Sequence, residues 1–480
     1  MSTAIPILEE LAQAARVQMD LKSYRDREQA GDAELFALMF QDRVVYDHSA
    51  GAWFLWRGNH WERDRSHEIR KLVANRLAAE YMRAGATAQE TGDKDEAKAF
   101  IDRARALLRR SRVENVLWWC QSQESLKLVG DEWDRDPMAL GVKNGVIDLH
   151  TGTRRDGTPG EYLQVYSPVD WLGIDQPAPH WEQFISDIFG GDAEMVAYIQ
   201  RLFGYCLTGS TSEHCLPILY GEGRNGKSTL LQALALVFGS DLSHTTQADA
   251  LMNIKRDGAG PQPFVYALRG RRLVWATESR EGQRLNAGLI KQLTGGDSIT
   301  TRTLHEKPVT FRPTHKVMLL TNHKPHISAE DQAMWDRVQL IEFDRRFVDE
   351  PKAPNESKRN PRILELLDAE SAGILAWLVR GCLAWQKQGL CPPSKVRAST
   401  ETYREEEDTI GEFISDCLIV GEGMTATSRE IYRVYEQWAK DNGLNDHLTQ
   451  IQLGKKLKRR FGEPKRSNRE RIYQGVGVLQ

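Results

Sequence analysis

One stretch constrains this chain more than any other. LPILYGEGRNGKSTLLQALALVF (Leu216–Phe238) runs an apolar segment straight into G-x-x-x-x-G-K-S at Gly221–Ser228, and then into a helical pattern. A strand that breaks at a glycine-rich turn and restarts as a helix is a phosphate-cradling unit. In the turn Gly221, Glu222, Gly223, Arg224, Asn225 and Gly226, the glycines let the backbone curl so that successive N–H groups point inward at an anion. Lys227 places a point charge on the terminal phosphates, and Ser228 offers a hydroxyl to Mg²⁺. Thr229 sits in the first turn of the helix, whose positive end faces the same anion. ATP with Mg²⁺ is the expected ligand. The fold class follows as α/β, because buried-type strands alternate with helices after this loop, as in a parallel sheet with crossover helices.

Hydrolysis needs more than a cradle: an acid for metal or water, a sensor of the terminal phosphate, and an arginine. RRLVWATES (Arg271–Ser279) is an apolar strand ending at Glu278, the candidate to orient water or hold Mg²⁺ through its shell, together with Ser228. HKVMLLTNHKP (His315–Pro325) ends in Thr321-Asn322, and the Asn322 amide can bond both attacking water and a phosphate oxygen. WDRVQLIEF (Trp335–Phe343) places Arg337 before a third strand, where it can act in trans on a neighbouring subunit; Arg345 and Arg346 compete for that role. Each has a bland counterpart: an idle strand-end acid, a turn-forming asparagine before proline, a surface arginine.

The chain of 480 residues carries a formal net charge of −3, so contact with nucleic acid must come from local basic patches. Its 6 cysteines form no C-x-x-C pair, which speaks for reduced thiols and against a zinc ribbon. No apolar run is long enough to span a membrane and no basic leader with an apolar core opens the chain, so a cytoplasmic protein without membrane contact is expected. The organisation read from periodicity is a helical leader (1–39), an N-terminal α+β accessory domain (40–207), the core (208–345), a helical segment (346–420) and a basic C-terminal domain (421–480). Within these, Ile363–Gln388 reads as one helix, and Arg346–Pro361 as a loop. Trp53, Trp56, Trp61, Trp118 and Trp119 read as core residues.

The order of motifs resembles the superfamily 3 helicases, in the branch of phage and plasmid primase-helicases with a poxvirus-type helicase domain. The matching pieces are YGEGRNGKST, RLVWATESREGQRLNAGLIKQLTGGDSITTR, FRPTHKVMLLTNHKP and MWDRVQLIEF, with VKNGVIDLHTG, WEQFISDIFGGD and YIQRLFGYCLTG upstream and ESAGILAWLVRGCLAW and VRASTETYREEEDTIGEFI downstream. The resemblance implies an AAA+-like P-loop core, a homo-hexameric ring around single-stranded DNA, and ATP-dependent unwinding in phage, plasmid or prophage replication. It also implies a channel hairpin at GGDSITTRTLHEKPVTF, whose Arg302, His305 and Lys307 would grip the strand without reading sequence. Two departures stand out. Thr277 precedes Glu278 where many relatives carry a second acid, so Glu281 is a candidate helper, and Asp336 sits beside Arg337 where a basic residue is expected. About 40 residues precede the accessory region, too few for a polymerising site, so no primase activity and a separate primase partner are expected. The alternative reading is an ATP-gated origin-binding initiator or loader without processive unwinding.

The last segment shows a helical stripe (Ile431, Val434, Tyr435, Trp438) and then a second helix carrying Lys455, Lys456, Lys458, Arg459 and Arg460. A basic hairpin follows. Helix, helix, hairpin is the layout of a winged helix, expected to bind duplex or origin DNA; a subunit-docking surface is the other use of such a face.

Overall fold

The computed structural model describes residues 20–253, 262–277, 280–302, 308–442, 447–467 and 470–479. Its centre is a five-stranded, all-parallel sheet: β1 (Leu216–Tyr220), β2 (Ser243–Gln247), β3 (Leu273–Thr277), β4 (Lys316–Thr321) and β5 (Val338–Glu342), in the order β2-β3-β4-β1-β5. β1 and β4 are apolar along most of their length because helices cover both faces of a parallel sheet; every residue of β4 is buried. The exception in β4 is Lys316, whose Nζ donates to the carbonyls of Thr208, Ser210 (3.3 Å) and Thr314 (3.1 Å), over the Tyr205 ring at 4.8 Å. Burial pushes this amine down to about 7. At the same end of the sheet, buried Arg272 donates to the carbonyls of Pro137 (3.3 Å), Leu207 and Ala139 (3.0 Å). The two cations pin the linker that leads into β1.

Helices α1 (Pro179–Ile188), α2 (Ala193–Cys206), α3 (Lys227–Leu242), α4 (Ala287–Thr294), α5 (Ser371–Gln388) and α6 (Ser394–Glu406) surround the sheet. α1, α2, α3 and α5 share one apolar core with the sheet and with the strands Ala139–Val142 and Gly145–Asp148. On α3 alone, Leu230, Leu231, Leu234, Val237 and Phe238 are buried, each contributing about 1.5–3 kcal/mol. α2 and α5 meet backbone to backbone. A Cβ on Gly204 would lie 2.2 Å from the Cys382 nitrogen, and one on Gly381 would lie 2.0 Å from the Gln200 carbonyl oxygen.

Several sequence expectations change here. The boundary expected at 207 runs through this shared core, since α1 and α2 pack against α3. The leader ending at 39 is, over its described residues, part of the accessory domain: helix Glu28–Phe40 buries Leu35, Phe36 and Phe40 beside Tyr81 and Phe100. Its Asp32 is fully buried and accepts from Tyr81 Oη (2.9 Å), Arg103 Nη1 (3.2 Å) and Arg112 Nη2 (2.6 Å), which ties four helices together. The expected helix Ile363–Gln388 is two, Ile363–Ala369 and α5, interrupted at Glu370. The Glu370 carboxylate accepts the amides of His180 (3.1 Å) and Trp181 (3.0 Å) and so caps α1. The expected loop 346–361 contains two short paired strands, Arg346–Val348 and Glu356–Lys358. Trp61 is buried, but Trp118 is 64% and Trp119 40% exposed, stacked edge to face at 5.2 Å. Helical spacing alone does not say which flank of Arg110–Cys120 turns inward.

The C-terminal domain starts earlier than 421. Helix Thr409–Cys417 puts Ile410 and Phe413 into its core. Strand Leu418–Thr427, helices Ser428–Asp441 and Gln450–Phe461, and strands Lys465–Ser467 and Glu470–Val478 complete it. Thr427 and Thr449 each close a capping box at the head of a helix. No helix among the described residues is long and apolar enough to cross a membrane.

Candidate functional site

In a parallel sheet, ligands collect at the carboxyl ends of the strands. The register puts Tyr220, the last residue of β1, level with Thr321 of β4 and Glu342 of β5, and Leu320 level with Thr277 of β3. Gly221 and Asn322 therefore leave the sheet side by side. Glu278, next in the chain after Thr277, lies outside the described residues.

The loop between β1 and α3 is braced from several directions. The Phe343 amide donates to Tyr220 O (2.8 Å), and the Phe347 amide to Arg224 O (2.7 Å). Asn225, buried, donates from Nδ2 to Phe343 O (3.3 Å). Gly226 stands at the head of α3 with φ +88°, and a Cβ there would lie 2.6 Å from Ile188 Cγ2. Only glycine satisfies both the left-handed backbone and the close approach of α1. Phe343, Phe347 and Ile188 are thus part of the site. Local sequence gives no signal for them, because they arrive from other elements.

Lys227 is 4% exposed. Its Nζ donates to the carbonyls of Gly221 and Glu222 (3.3 Å) and to Asn322 Oδ1 (3.3 Å). No carboxylate pairs with it among the described residues, and burial pulls its amine down from 10.5 to about 8. A buried ammonium held only by neutral oxygens is a site poised for an anion. The donor set fits a triphosphate: the ammonium, the first-turn N–H groups of α3, and the Ser228 hydroxyl on the exposed side of that turn. Thr229, half-buried, completes the turn. Glu222, Gly223 and Arg224 are exposed at the loop's rim.

Arg337 is elsewhere. It precedes Val338, which pairs with Leu216 at the amino end of β1, so the length of β5 separates it from the loop of its own chain. Its Nε donates to Thr294 Oγ1 (3.1 Å) and its Nη1 to Ala333 O. Arg345 lies on the loop's side of the sheet and donates to Pro354 O (2.9 Å) and Ser357 Oγ (2.8 Å), while Arg346 pairs with Glu356 at 3.8 Å. Arg302 ends strand Ile299–Thr301, which pairs antiparallel with Val309–Phe311; His305 and Lys307 lie outside the described residues.

The C-terminal cations are not all open to solvent partners. Lys456 (3.0 Å) and Arg459 pair with Glu330, Arg460 with Asp408, and Lys458 with Glu463. Lys455 is exposed.

Three stretches of the chain match known families. Residues 33–190 match the family described as D5 N terminal like. Residues 219–337 match the Family of unknown function (DUF5906), and residues 405–474 the Poxvirus D5 protein-like family. The chain thus carries D5 N-terminal-like and poxvirus D5-like segments, and is similar to the primase-helicases with a superfamily 3 helicase domain. It is 27% identical over 420 residues to a putative helicase of Acanthamoeba polyphaga mimivirus, covering 82% of this chain and 43% of the relative. It is 24% identical to a putative helicase of Frog virus 3 (68% and 41% covered) and 22% identical to a putative primase of African swine fever virus (72% and 38%). The chain spans about two-fifths of the length of these relatives. Among solved structures, apo forms of the NrS-1 C-terminal region align at TM-scores of 0.44 and 0.46 and identities of 13% and 10%, over 88% and 90% of this chain and 84% and 96% of theirs.

Proposed function

We propose that this chain is an ATP-dependent DNA helicase of phage, plasmid or prophage replication, a ring translocase on single-stranded DNA. The observation that carries the reading is Lys227, buried with no acidic partner among the described residues and 3.3 Å from Asn322 at the level carboxyl ends of β1 and β4. The strand order β2-β3-β4-β1-β5 supports an AAA+-like P-loop core, with the loop strand flanked by the strand that carries the sensor. Bound Mg²⁺–ATP would supply the scissile phosphate bond. Lys227 would neutralise its terminal oxygens, Ser228 would face the metal, Asn322 would hold the attacking water in line, and Glu278 would orient it. Arg337 lies at the other end of the sheet from its own loop, which supports a use in trans within a homo-hexameric ring. Arg302, with His305 and Lys307, would contact phosphates in the channel. A separate primase would supply primers.

The C-terminal order helix–strand–helix–helix–strand–strand supports a winged helix that binds duplex or origin DNA. That basic module also favours a second reading, an ATP-gated initiator or loader. The deciding experiment is strand displacement on a forked duplex with parallel phosphate release. Displacement that Lys227→Ala abolishes supports the helicase. DNA-stimulated hydrolysis without displacement moves the assignment to the initiator, and hydrolysis indifferent to DNA overturns both.

A further inference from the structure

The cations on helix Gln450–Phe461 do not face one way. Leu453 and Leu457 turn into the C-terminal domain's own core. Lys456, Arg459 and Arg460, at i, i+3 and i+4, share a flank, and that flank is held by acids from outside this small domain's core. Glu330, in the turn between Asn322 and Arg337, takes both Lys456 (3.0 Å) and Arg459. Asp408 takes Arg460 on one oxygen, while its other accepts the Gly411 amide (3.0 Å) and caps helix Thr409–Cys417. A carboxylate and a phosphate present the same oxygen chemistry to lysine and arginine. Glu330 of the motor thus sits where a nucleic-acid phosphate would sit on this helix.

We propose that docking of this helix on Glu330 and its binding of duplex DNA are mutually exclusive. The C-terminal domain is then held in a self-masked state that DNA opens by displacing Glu330. This rests on the reading of the domain as a DNA-binding module. The contact also reaches the segment that precedes Arg337. Asp331, next to Glu330, holds Lys291 (2.6 Å) and caps helix Gln332–Trp335 through the Met334 amide (3.2 Å). That helix ends just before Arg337. Release of Glu330 therefore loosens the segment that positions Arg337.

Two measurements on the full chain test the masking. Duplex affinity is compared by fluorescence anisotropy for wild type, Glu330→Gln and Glu422→Gln. Glu422 is exposed on strand Leu418–Thr427, so the last variant makes the same change in net charge without touching the dock. Glu330→Gln is expected to bind roughly threefold or more tightly at about 50 mM salt, the worth of one or two screened pairs. The gap should shrink as salt shortens the Debye length. Second, a carbodiimide is expected to couple Glu330 to Lys456 in the free protein, and saturating duplex to suppress that cross-link. Equal affinities for Glu330→Gln and Glu422→Gln, or a cross-link indifferent to duplex, overturn the masking. Absence of duplex binding in wild type and both variants overturns the DNA-binding reading beneath it, and is a distinct result.

Discussion

If the loop between β1 and α3 holds a nucleotide as proposed, Lys227 makes that site a proton acceptor. Its amine lies near 8 rather than 10.5 because burial penalises the ammonium and no carboxylate among the described residues offsets that penalty. At pH 8 about half of the unliganded molecules therefore carry a neutral Lys227, against about a tenth at pH 7. A bound triphosphate restores the ammonium, since its phosphates ionise with a last pKa of about 6 and stay charged throughout. Nucleotide binding should then take up about half a proton at pH 8 and about a tenth at pH 7. Calorimetric titration with a non-hydrolysable ATP analogue, in two buffers of different ionisation enthalpy, reads this number directly. Lys227→Arg supplies the control, because a guanidinium stays charged to beyond about pH 12: whatever affinity remains, the uptake should vanish. The same group also sets a stability slope. The folded chain sheds this proton near pH 8 and the unfolded chain near 10.5, so between those values the unfolded state holds more protons and stability rises with pH. The full shift corresponds to about 3 kcal/mol. Solvent at the exposed rim of Glu222, Gly223 and Arg224 screens this to about 1–2 kcal/mol. Proton uptake equal at pH 7 and 8, or uptake that persists in Lys227→Arg, would refute the assignment of a buried, unpaired ammonium to the phosphate site.

Four further outcomes follow from the geometry. Asn322→Ala should lower kcat by about 10²-fold with little change in nucleotide affinity, the pattern of a group that acts on water and the transition state; steady-state hydrolysis separates the two. Gly204→Ala should destabilise the chain by at least about 1–3 kcal/mol, because its methyl meets α5 backbone rather than a yielding side chain; urea unfolding measures it. Asp32→Asn should cost about 1.5–3 kcal/mol, because it removes the buried carboxylate from Arg103 and Arg112 while Glu28 still pairs with both, seen as early melting of the accessory domain. Arg337→Ala subunits mixed with Glu278→Gln subunits should recover part of the hydrolysis that each lacks alone if the arginine serves a neighbour's nucleotide. Hydrolysis that scales only with the wild-type fraction would place it in cis or in a purely structural role.

Legibility in the sequence tracked how local each feature is. The phosphate loop was readable because its requirements sit within one turn: an apolar strand before it, a helix after it, and Gly226 at a backbone angle only glycine adopts cheaply. The inward flank of Arg110–Cys120 was not, because its periodicity serves Trp118 and Trp119 as well as Val116 and Leu117. The break at Glu370 was not either, because its cause is the distant head of α1.

By itself, then, the chain's order of residues determined the strand–loop–helix unit, the alternation that makes a parallel sheet, and the candidates Lys227 and Asn322. Tertiary structure alone decided that these two meet across 95 residues, that Arg337 stands at the far end of the sheet, and that Arg459 reaches Glu330 across 129 residues. The physical reason is that backbone geometry and side-chain periodicity act over a few residues. Which distant charges become neighbours depends instead on the order in which strands join a sheet and on which helix flank its core leaves outward.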